Sequence, residues 1–287
     1  MIYLDSSLLD KVNEEVKSVA NKIGHNNVLI HSDIKNLFLF EFNSKDELLE
    51  KHFKNISEIF SDFNIWMPTF NYNFTETGEY NLENDKSQVG VLNDYFRSVC
   101  EWRTTTPVFS FCGNGNYPID QIYPFKKINP FSIGSEFYYL HKSDSIHCHY
   151  GSNFNTSTFI HYVEGISKKL LYRYSKKFNG VVNQNGYKTE VILDYHVTPL
   201  SPRVEYDWDK IYSDLIQNNL LFEFKIFNSI NYVSLFSIRK VFDYWKNKLD
   251  IDPFYFLDKN SKSWVIPKVK EMGRGFKLND FENNNYV

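Results

Sequence analysis

The order in which apolar residues repeat along the first 170 residues is the feature that most constrains the fold. Residues 7–23 and 44–60 repeat apolar side chains with the period of an amphipathic helix, whereas residues 27–33 and 63–70 are short apolar runs that lead into loops. Helices that alternate with buried strands pack on both faces of a parallel sheet. The pattern therefore predicts an α/β fold, with a central, mostly parallel sheet flanked by helices in an α/β/α arrangement.

The second half of the chain carries a different pattern. Between residues 169 and 197, aromatic and β-branched residues alternate around Asn179-Gly180 and Asn185-Gly186, and Asn-Gly pairs favour the tight turns of β-hairpins. We expect a smaller antiparallel β lobe here. It would form a β-rich substrate-binding subregion, about residues 169–205, within a single domain that spans residues 1–287.

Three other segments have simpler patterns. Residues 71–86 are polar and aperiodic and predict a loop, residues 118–134 are rich in proline and predict an irregular connection, and residues 208–257 predict helices by their period. A chain of 287 residues, of which 42% are hydrophobic, is long enough to bury a sizeable core around these elements.

Composition excludes several classes of partner. A net charge of -3 lacks the concentrated positive charge that binds nucleic acid. No run reaches the roughly 18 to 20 apolar residues that span a bilayer, and residues 1–5 do not resemble a signal peptide. We therefore expect a cytoplasmic protein without nucleic-acid or membrane partners. Its three cysteines are widely spaced, which favours reduced thiols over a disulfide framework.

The predicted loops after the strands are the first candidates for a site, because ligands of parallel sheets gather at the carboxyl ends of the strands. His31-Ser32-Asp33 follows the first strand and could present backbone N–H groups and a hydroxyl to a phosphate or an oxyanion. The alternative is an ordinary helix cap. The segment Ser87 to Val91 has the same two interpretations, and Gly90 in it would let a ligand approach the backbone closely.

A histidine and a glutamate follow a run of hydroxyl residues in the segment Asn155 to Glu164. His161 and Glu164 are three residues apart, so they share one face of a helix. A neutral imidazole can take the proton of an attacking amine when a carboxylate orients the ring. The alternative is a helical histidine that only satisfies a hydrogen bond.

His147-Cys148-His149 contains good zinc ligands, but we do not expect a metal there. On a strand the two histidines point to one face and the cysteine to the other, so the three cannot share an ion. The chain also lacks the glycine-rich fingerprints of nucleotide-binding proteins and the G-x-S-x-G motif of hydrolases.

Taken in order, five segments resemble the aminoglycoside 3-N-acetyltransferase family over most of the chain. They are Val28 to Asp33, Met67 to Phe70, Ser87 to Leu92, Arg103 to Ser110, and Asn155 to Thr158 followed by His161 and Glu164. The resemblance implies acetyl-CoA as co-substrate, no metal, and direct transfer of the acetyl group to an amine without an acyl-enzyme. It implies His161 as the general base, with Glu164 orienting it.

The same resemblance implies the binding residues. Those for the cofactor are His31, Ser32, Asp33, Ile34, Val89, Gly90 and Ser110. Those for the substrate are Phe70, Tyr72, Thr156, Thr158, Arg173, Lys176 and Lys177. An oxyanion donor could be the hydroxyl of Ser32 or Thr156, or a backbone N–H.

Two departures bear on the acceptor. Thr106 and Phe109 stand where antibiotic-modifying members carry histidines, and the segments Thr158 to Glu164 and Tyr172 to Gly180 look like members associated with surface-polysaccharide synthesis. In such a member Arg173 and the two lysines that follow would neutralise a nucleotide diphosphate. The alternative for them is a solvated basic hairpin.

Our first hypothesis from the sequence is thus an N-acetyltransferase for a nucleotide-linked amino-dideoxy sugar, with small molecules as partners. An aminoglycoside-inactivating enzyme is the alternative, and a non-catalytic protein that binds CoA or a sugar is the second alternative. The sequence leaves monomer and homodimer open.

Overall fold

The computed structural model describes residues 6–35, 37, 39–116, 126–167, 169–226 and 230–282. The helices in this part of the chain are α1 (Ser6–Ile23), α2 (Lys45–Ile59), α3 (Phe74–Thr77), α4 (Val91–Val99), α5 (Glu136–Lys142), α6 (Phe159–Ile166), α7 (Trp208–Gln217), α8 (Ile238–Ile251) and α9 (Lys259–Met272). The strands are β1 (Asn27–Ser32), β2 (Asn64–Pro68), β3 (Glu79–Asn81), β4 (Trp102–Arg103), β5 (Phe111–Gly113), β6 (Lys127–Ile128), β7 (Ile146–Tyr150), β8 (Tyr174–Gln184), β9 (Tyr187–Val197), β10 (Phe222–Ile226) and β11 (Ile230–Ser237).

Seven of the described strands form one large sheet in the order β10-β11-β7-β1-β2-β5-β4. The three central strands are parallel, because β1 pairs with β7 on one side and with β2 on the other. The pairs farther out are antiparallel. In β4–β5 and β10–β11 the connection is too short for the crossover of about a dozen residues that parallel neighbours need. The predicted α/β fold is confirmed, but the sheet is mixed, because only its three central strands pair in parallel.

Helices cover both faces of this sheet, as successive side chains of β1 show. Leu29 packs into a front core, which also contains Phe159 of α6 and Leu193 of the second sheet. Val28 and Ile30 point the other way, into a back core with residues of α1, α2 and α4. This alternation follows from the period of two along a strand. Within the described residues, no helix is both long and apolar enough to cross a membrane.

The second sheet has the order β3-β8-β9-β6 and is built on the antiparallel hairpin of β8 and β9. This smaller β lobe is confirmed, and its hairpin turns at Asn185-Gly186, as predicted. Only the hairpin is antiparallel, because β3 and β6 pair with it in parallel. The other predicted turn is wrong, because Asn179 and Gly180 pair with β9 in the middle of β8. Gly180 has a different reason to be glycine: a Cβ there would lie 2.1 Å from the carbonyl oxygen of Gly78.

Three segments differ in detail from their predictions. The predicted loop at residues 71–86 contains α3 and β3, and β3 extends the small sheet alongside β8. The predicted helical stretch at residues 208–257 contains the β10–β11 hairpin between α7 and α8, because alternating apolar residues there pair with β7. Of the predicted connection, residues 118–125 lie outside the described residues, and the remainder contains β6 and leads to α5. Cys100, Cys112 and Cys148 are free in the structure.

Candidate active site

A cavity of about 700 Å³ lies at the carboxyl ends of β1 and β2. Its wall combines the residues that follow β1 and β2, the loop before α4, and the segment between β7 and α6. Most residues that the sequence singles out line it. These are His31, Ser32, Asp33, Ile34, Phe70, Tyr72, Val89, Gly90, Thr156, Thr158 and His161.

Asn93 connects three elements of one wall of the cavity by hydrogen bonds. Its amide oxygen accepts a hydrogen bond from the Ser32 hydroxyl at 2.5 Å, and its amide nitrogen donates to the carbonyl of Pro68 at 2.8 Å. The start of α4 is thereby joined to the ends of β1 and β2. Gly90 has a φ of +91°, and a Cβ there would lie 3.1 Å from Asn93 Oδ1 and from the carbonyl oxygen of Ser32. A larger residue at position 90 would crowd Asn93 and the backbone of Ser32.

The segment after β7 forms the facing wall. Gly151 adopts a φ of +66°, and Ser152 donates a hydrogen bond from its hydroxyl to the carbonyl of His31 at 3.0 Å. Ser157, which also lines the cavity, lies with its hydroxyl 2.8 Å from Nε2 of His149. The hydroxyl residues just before α6, and His161 within it, therefore line the cavity.

His161 and Glu164 form the pair that the sequence predicts. Nδ1 of His161 lies 3.1 Å from Oε2 of Glu164, and the glutamate is fully buried behind the histidine. A quarter of the histidine side chain is exposed, on the cavity side. Because Nδ1 is turned inward to the carboxylate, Nε2 is the ring nitrogen left for a bound substrate.

Glu164 is held by three further side chains. The hydroxyls of Tyr172 and Tyr206 donate to its Oε1 at 2.6 and 2.7 Å. Arg173 lies with Nε 3.0 Å from Oε2 as an ion pair. Burial alone would raise the pKa of Glu164, but the charge of Arg173 and the contact with His161 outweigh it and lower that pKa to about 2. Glu164 is therefore an anion at neutral pH.

The pKa of His161 is lowered from its ordinary value of 6.5. Burial is the largest cause and the positive charge of Arg173 adds to it, while Glu164 acts in the opposite direction. The imidazole is consequently neutral at neutral pH, the form in which it can accept a proton.

Besides Glu164, which is buried behind His161, four residues singled out from the sequence lie away from the cavity lining. The hydroxyl of Ser110 is fully buried and donates to the carbonyl of Thr69 at 3.0 Å. Arg173 is paired internally with Glu164, Lys176 forms an ion pair with Glu282 at 2.6 Å, and Lys177 is exposed on β8. The predicted contact of these three basic residues with a diphosphate therefore has no support in their positions. Their sequence pattern showed charge but not the direction of each side chain.

Thr106 and Phe109, the two positions that depart from the antibiotic-modifying members, also lie away from the cavity lining. Thr106 donates a hydrogen bond to the buried carboxyl of Glu136 at 2.5 Å. Phe109 packs edge-on against Phe70 and Phe131 in the front core. Both side chains therefore pack in the interior beside the site.

His147 and His149 stack on the front face of β7 with ring centroids 4.6 Å apart, and His31 of β1 lies 4.8 Å from His147. Cys148 points into the back core. This is the alternation that the sequence predicts. Across the described ranges, no group of three or more His, Cys, Asp or Glu side chains is arranged to hold a metal ion.

Sequence patterns missed several residues of the cavity. Trp208, at the start of α7, lines it and packs edge-on against Tyr206 with centroids 5.4 Å apart. Lys35 and Lys45 line it as well. Only one feature of the sequence pointed to Asn93, namely that it is a polar residue on the apolar face of α4. In the structure it is only 1% exposed. No local sequence pattern connects Trp208 to this site. The other residues of the cavity lining all precede it in the chain, and β8 and β9 lie between them and Trp208.

Comparisons with known proteins give a family match and a set of similar folds. A sequence model of the family described as aminoglycoside 3-N-acetyltransferase matches residues 53–250. Among solved structures, AAC-IIIb in a binary complex with CoASH superposes with a TM-score of 0.65 at 10% identity, covering 83% of this chain and 96% of that one. A variant of aminoglycoside acetyltransferase AAC(3)-IVa in complex with a gentamicin gives 0.64 at 16% identity, covering 88% and 93%.

The YokD protein from Bacillus subtilis has a TM-score of 0.63 at 14% identity, with 85% of this chain and 94% of that chain covered. At these identities the superpositions establish a shared fold. A search of curated protein sequences finds no match.

Proposed function

This chain belongs to the aminoglycoside 3-N-acetyltransferase family, and from that membership we propose that it acetylates an amine of an aminoglycoside with His161 as the general base. It is an acyltransferase, and acetyl-CoA is its co-substrate. The observation that carries the proposal is the neutral imidazole of His161, held by the ionised Glu164 at the wall of a cavity of about 700 Å³.

The chemistry that these residues support is a direct transfer. His161 accepts a proton through Nε2 from the acceptor amine as the amine nitrogen attacks the acetyl carbonyl carbon. The new C–N bond forms, the C–S bond breaks, and His161 passes the proton to the departing thiolate. Glu164 stabilises the positive charge that His161 carries between the two proton transfers.

We assign acetyl-CoA to the wall made by the loop after β1 and the loop before α4. Ser32, Asp33, Ile34, Val89 and Gly90 lie along it, and the absence of a side chain at Gly90 suits a close approach to the backbone. The positive charges of Lys35 and Lys45, which line the same cavity, suit the phosphates of the cofactor.

For the oxyanion, a backbone N–H fits better than the two hydroxyls suggested by the sequence. The hydroxyl of Ser32 already donates to Asn93, and that of Thr156 already donates to the carbonyl of Asn153 at 2.7 Å. A hydroxyl has only one hydrogen to donate, so either group would have to give up its present hydrogen bond.

The comparisons support the aminoglycoside acceptor better than our first hypothesis from the sequence. The family carries the aminoglycoside in its description, and similar folds have been solved with a gentamicin and with sisomicin. The nucleotide link proposed from the sequence has no counterpart in these comparisons. The basic residues on which it depended lie away from the cavity lining.

One observation nevertheless favours a nucleotide-linked amino sugar as a second candidate acceptor. The charged residues of the described cavity lining are two acidic, Asp33 and Asp94, and two basic, Lys35 and Lys45, so the lining has no net charge. Asp94 is in addition ion-paired with Arg97 at 2.8 Å. A polycationic aminoglycoside favours an acidic cleft, whereas an acceptor that carries a diphosphate does not.

The test is release of the CoA thiol when acetyl-CoA is mixed with the protein and one acceptor at a time. The acceptors are gentamicin, apramycin, sisomicin and a set of nucleotide-diphosphate-linked amino sugars. We expect thiol release with at least one aminoglycoside, and none with the same compound after chemical N-acetylation, which is the matched control.

Release with nucleotide-linked sugars alone would replace the proposal by the second candidate. No release from any acceptor, together with calorimetric binding of CoA, would favour the non-catalytic alternative. The presence of both His161 and Glu164 in contact argues against that last outcome.

A further inference from the structure

Arg173 is a cation buried beneath the proposed base. Its side chain is only 8% exposed, and it reaches His161 from the segment that leads into β8, 12 residues along the chain. Burying a guanidinium costs free energy unless charge and hydrogen bonds compensate it. The groups that contact Arg173 therefore indicate the role of its positive charge.

The described partners of Arg173 belong to the surroundings of His161. Its Nη1 donates to the carbonyl of His196 at 3.1 Å, and the ring of His196 lies with Nε2 3.1 Å from the carbonyl oxygen of His161. Its Nη2 donates to the hydroxyl of Tyr206, which in turn donates to Glu164. The guanidinium thus holds the carboxylate both directly and through Tyr206.

The same guanidinium approaches the ring nitrogen that decides whether His161 is a base. Nδ1 of His161 lies 3.1 Å from Oε2 of Glu164 and 3.1 Å from Nη2 of Arg173. If Arg173 donated to Nδ1, the ring proton would sit on Nε2 and the imidazole could not accept a proton from the cavity. If Nδ1–H donates to Glu164, the lone pair of Nε2 is free.

The hydrogen bonds favour the second arrangement. Nη2 donates one of its two hydrogens to the Tyr206 hydroxyl. Oε2 of the ionised Glu164 can only accept, and it lies 3.1 Å from Nδ1, so an Nδ1 without a hydrogen would place two lone pairs against each other. Arg173 also keeps Glu164 ionised, and an anion accepts the Nδ1–H hydrogen bond more strongly than a neutral carboxyl does.

We propose that Arg173 is a positioning residue: with Tyr206 it fixes Glu164 as the ionised acceptor of Nδ1–H, so that Nε2 of His161 faces the cavity unprotonated. This inference rests on the proposed role of His161. It also accounts for a basic residue in this segment without a ligand phosphate. The positive charge beside the ring further favours return of the proton to the departing thiolate, because it destabilises the imidazolium form.

The test compares Arg173→Met and Arg173→Lys with the unchanged protein in two measurements. One is the NMR titration of the His161 ring in the protein without ligands, with its signal assigned by its loss in His161→Ala. The other is the pH dependence of kcat/KM, which reports groups of the free enzyme. Arg173→Met should raise the pKa of His161, because a nearby positive charge is removed, and should move the acid limb of kcat/KM to higher pH by the same amount.

Arg173→Lys keeps the charge but cannot contact Glu164, Tyr206 and His196 together. It should lower kcat by about 10-fold or more while the KM for acetyl-CoA stays nearly unchanged. It also keeps the inference testable if Arg173→Met fails to fold with an unpaired Glu164. Arg239→Met, which removes an exposed surface arginine, is the matched control and should change neither measurement.

A His161 titration that does not move in Arg173→Met, or a kcat in Arg173→Lys within about twofold of the unchanged protein, would overturn the inference. The NMR titration needs no acceptor, so it separates a failure of this inference from a failure of the proposed function. If no acceptor is turned over but the titration moves as expected, it is the proposed function that fails.

Discussion

At the scale of single residues, the chemistry of the cavity depends on how one histidine is held. His161 is neutral because it is buried and lies beside Arg173, and it is oriented because Glu164 accepts its Nδ1–H. His25, in the turn before β1, is by contrast an exposed histidine. The comparison of these two residues separates the effect of position from the effect of residue type.

We predict that His161→Ala lowers kcat by about 100-fold or more, because a general base contributes that much to such a reaction. Affinity for CoA should stay nearly unchanged, since the assigned cofactor wall does not include His161. Thiol release and calorimetric titration with CoA check the two effects. His25→Ala is the control and should match the unchanged protein. Activity of His161→Ala within a few-fold of that control would show that another group is the base.

At the scale of elements, the two Asn-Gly pairs of the β8–β9 hairpin show that one dipeptide can have two roles. Gly186 takes a φ of +80° in the turn, and nothing lies within 4 Å of a Cβ built there. Gly180 lies in the middle of β8, where the backbone at Gly78 passes so close that no side chain fits. The first glycine is required by backbone conformation and the second by packing between elements.

Alanine substitutions should therefore have unequal effects on stability. Gly180→Ala should lower the free energy of unfolding by about 1–3 kcal/mol, the usual cost of overpacking. Gly186→Ala should cost about 1 kcal/mol, the conformational cost of a left-handed backbone for alanine. Urea unfolding of both variants measures the difference. Equal losses, or a larger loss in Gly186→Ala, would contradict the packing role of Gly180.

At the scale of the whole molecule, the front core joins the two sheets beneath the cavity. It contains Leu29 of the large sheet and Leu193 of the small one, which supports our proposal that the chain is one domain. Three buried histidines lie on this face of the large sheet, His31, His147 and His149. Burial lowers the pKa of His31 to about 3 and those of the other two well below 6.5.

These histidines predict a loss of stability in acid. The unfolded chain binds protons on them below about pH 6.5, whereas the folded chain does so only at much lower pH. The free energy of unfolding should therefore fall as the pH drops below about 6.5, by up to about 1.4 kcal/mol per pH unit for each histidine. Above that pH these groups contribute no dependence.

Denaturant unfolding over a range from mildly alkaline to mildly acidic pH measures this slope. His147→Phe removes one such group, together with two buried ring nitrogens that have no hydrogen-bond partner, and should make the slope shallower. His25→Phe, the same substitution at an exposed position, is the control for the substitution itself. A His147→Phe variant with the slope of the unchanged protein would mean that other groups cause the acid sensitivity.

The residues that sequence patterns predicted well are those whose roles depend on near neighbours in the chain. The pairing of His161 with Glu164 follows from a spacing of three in a helix, and the opposite directions of His147 and Cys148 follow from the alternation of a strand. The residues after the first strand line the cavity because of the general rule for parallel sheets. Arg173 was predicted as a charged binding residue, because its charge is visible in the sequence and its buried partners are not.

By itself, the sequence determined the α/β class, the helices and strands of its strongly periodic segments, the hairpin turn at Asn185-Gly186 and the residues on the main wall of the cavity. Each of these depends on local period or on motif spacing. Only the tertiary structure decided that Asn93 and Trp208 belong to the cavity, that Ser110 does not, and that Arg173 contacts the His161–Glu164 pair. These outcomes depend on which segments, distant in the chain, the strand order of the sheet brings together. Contacts between residues so far apart in the sequence leave no periodic pattern in a single chain.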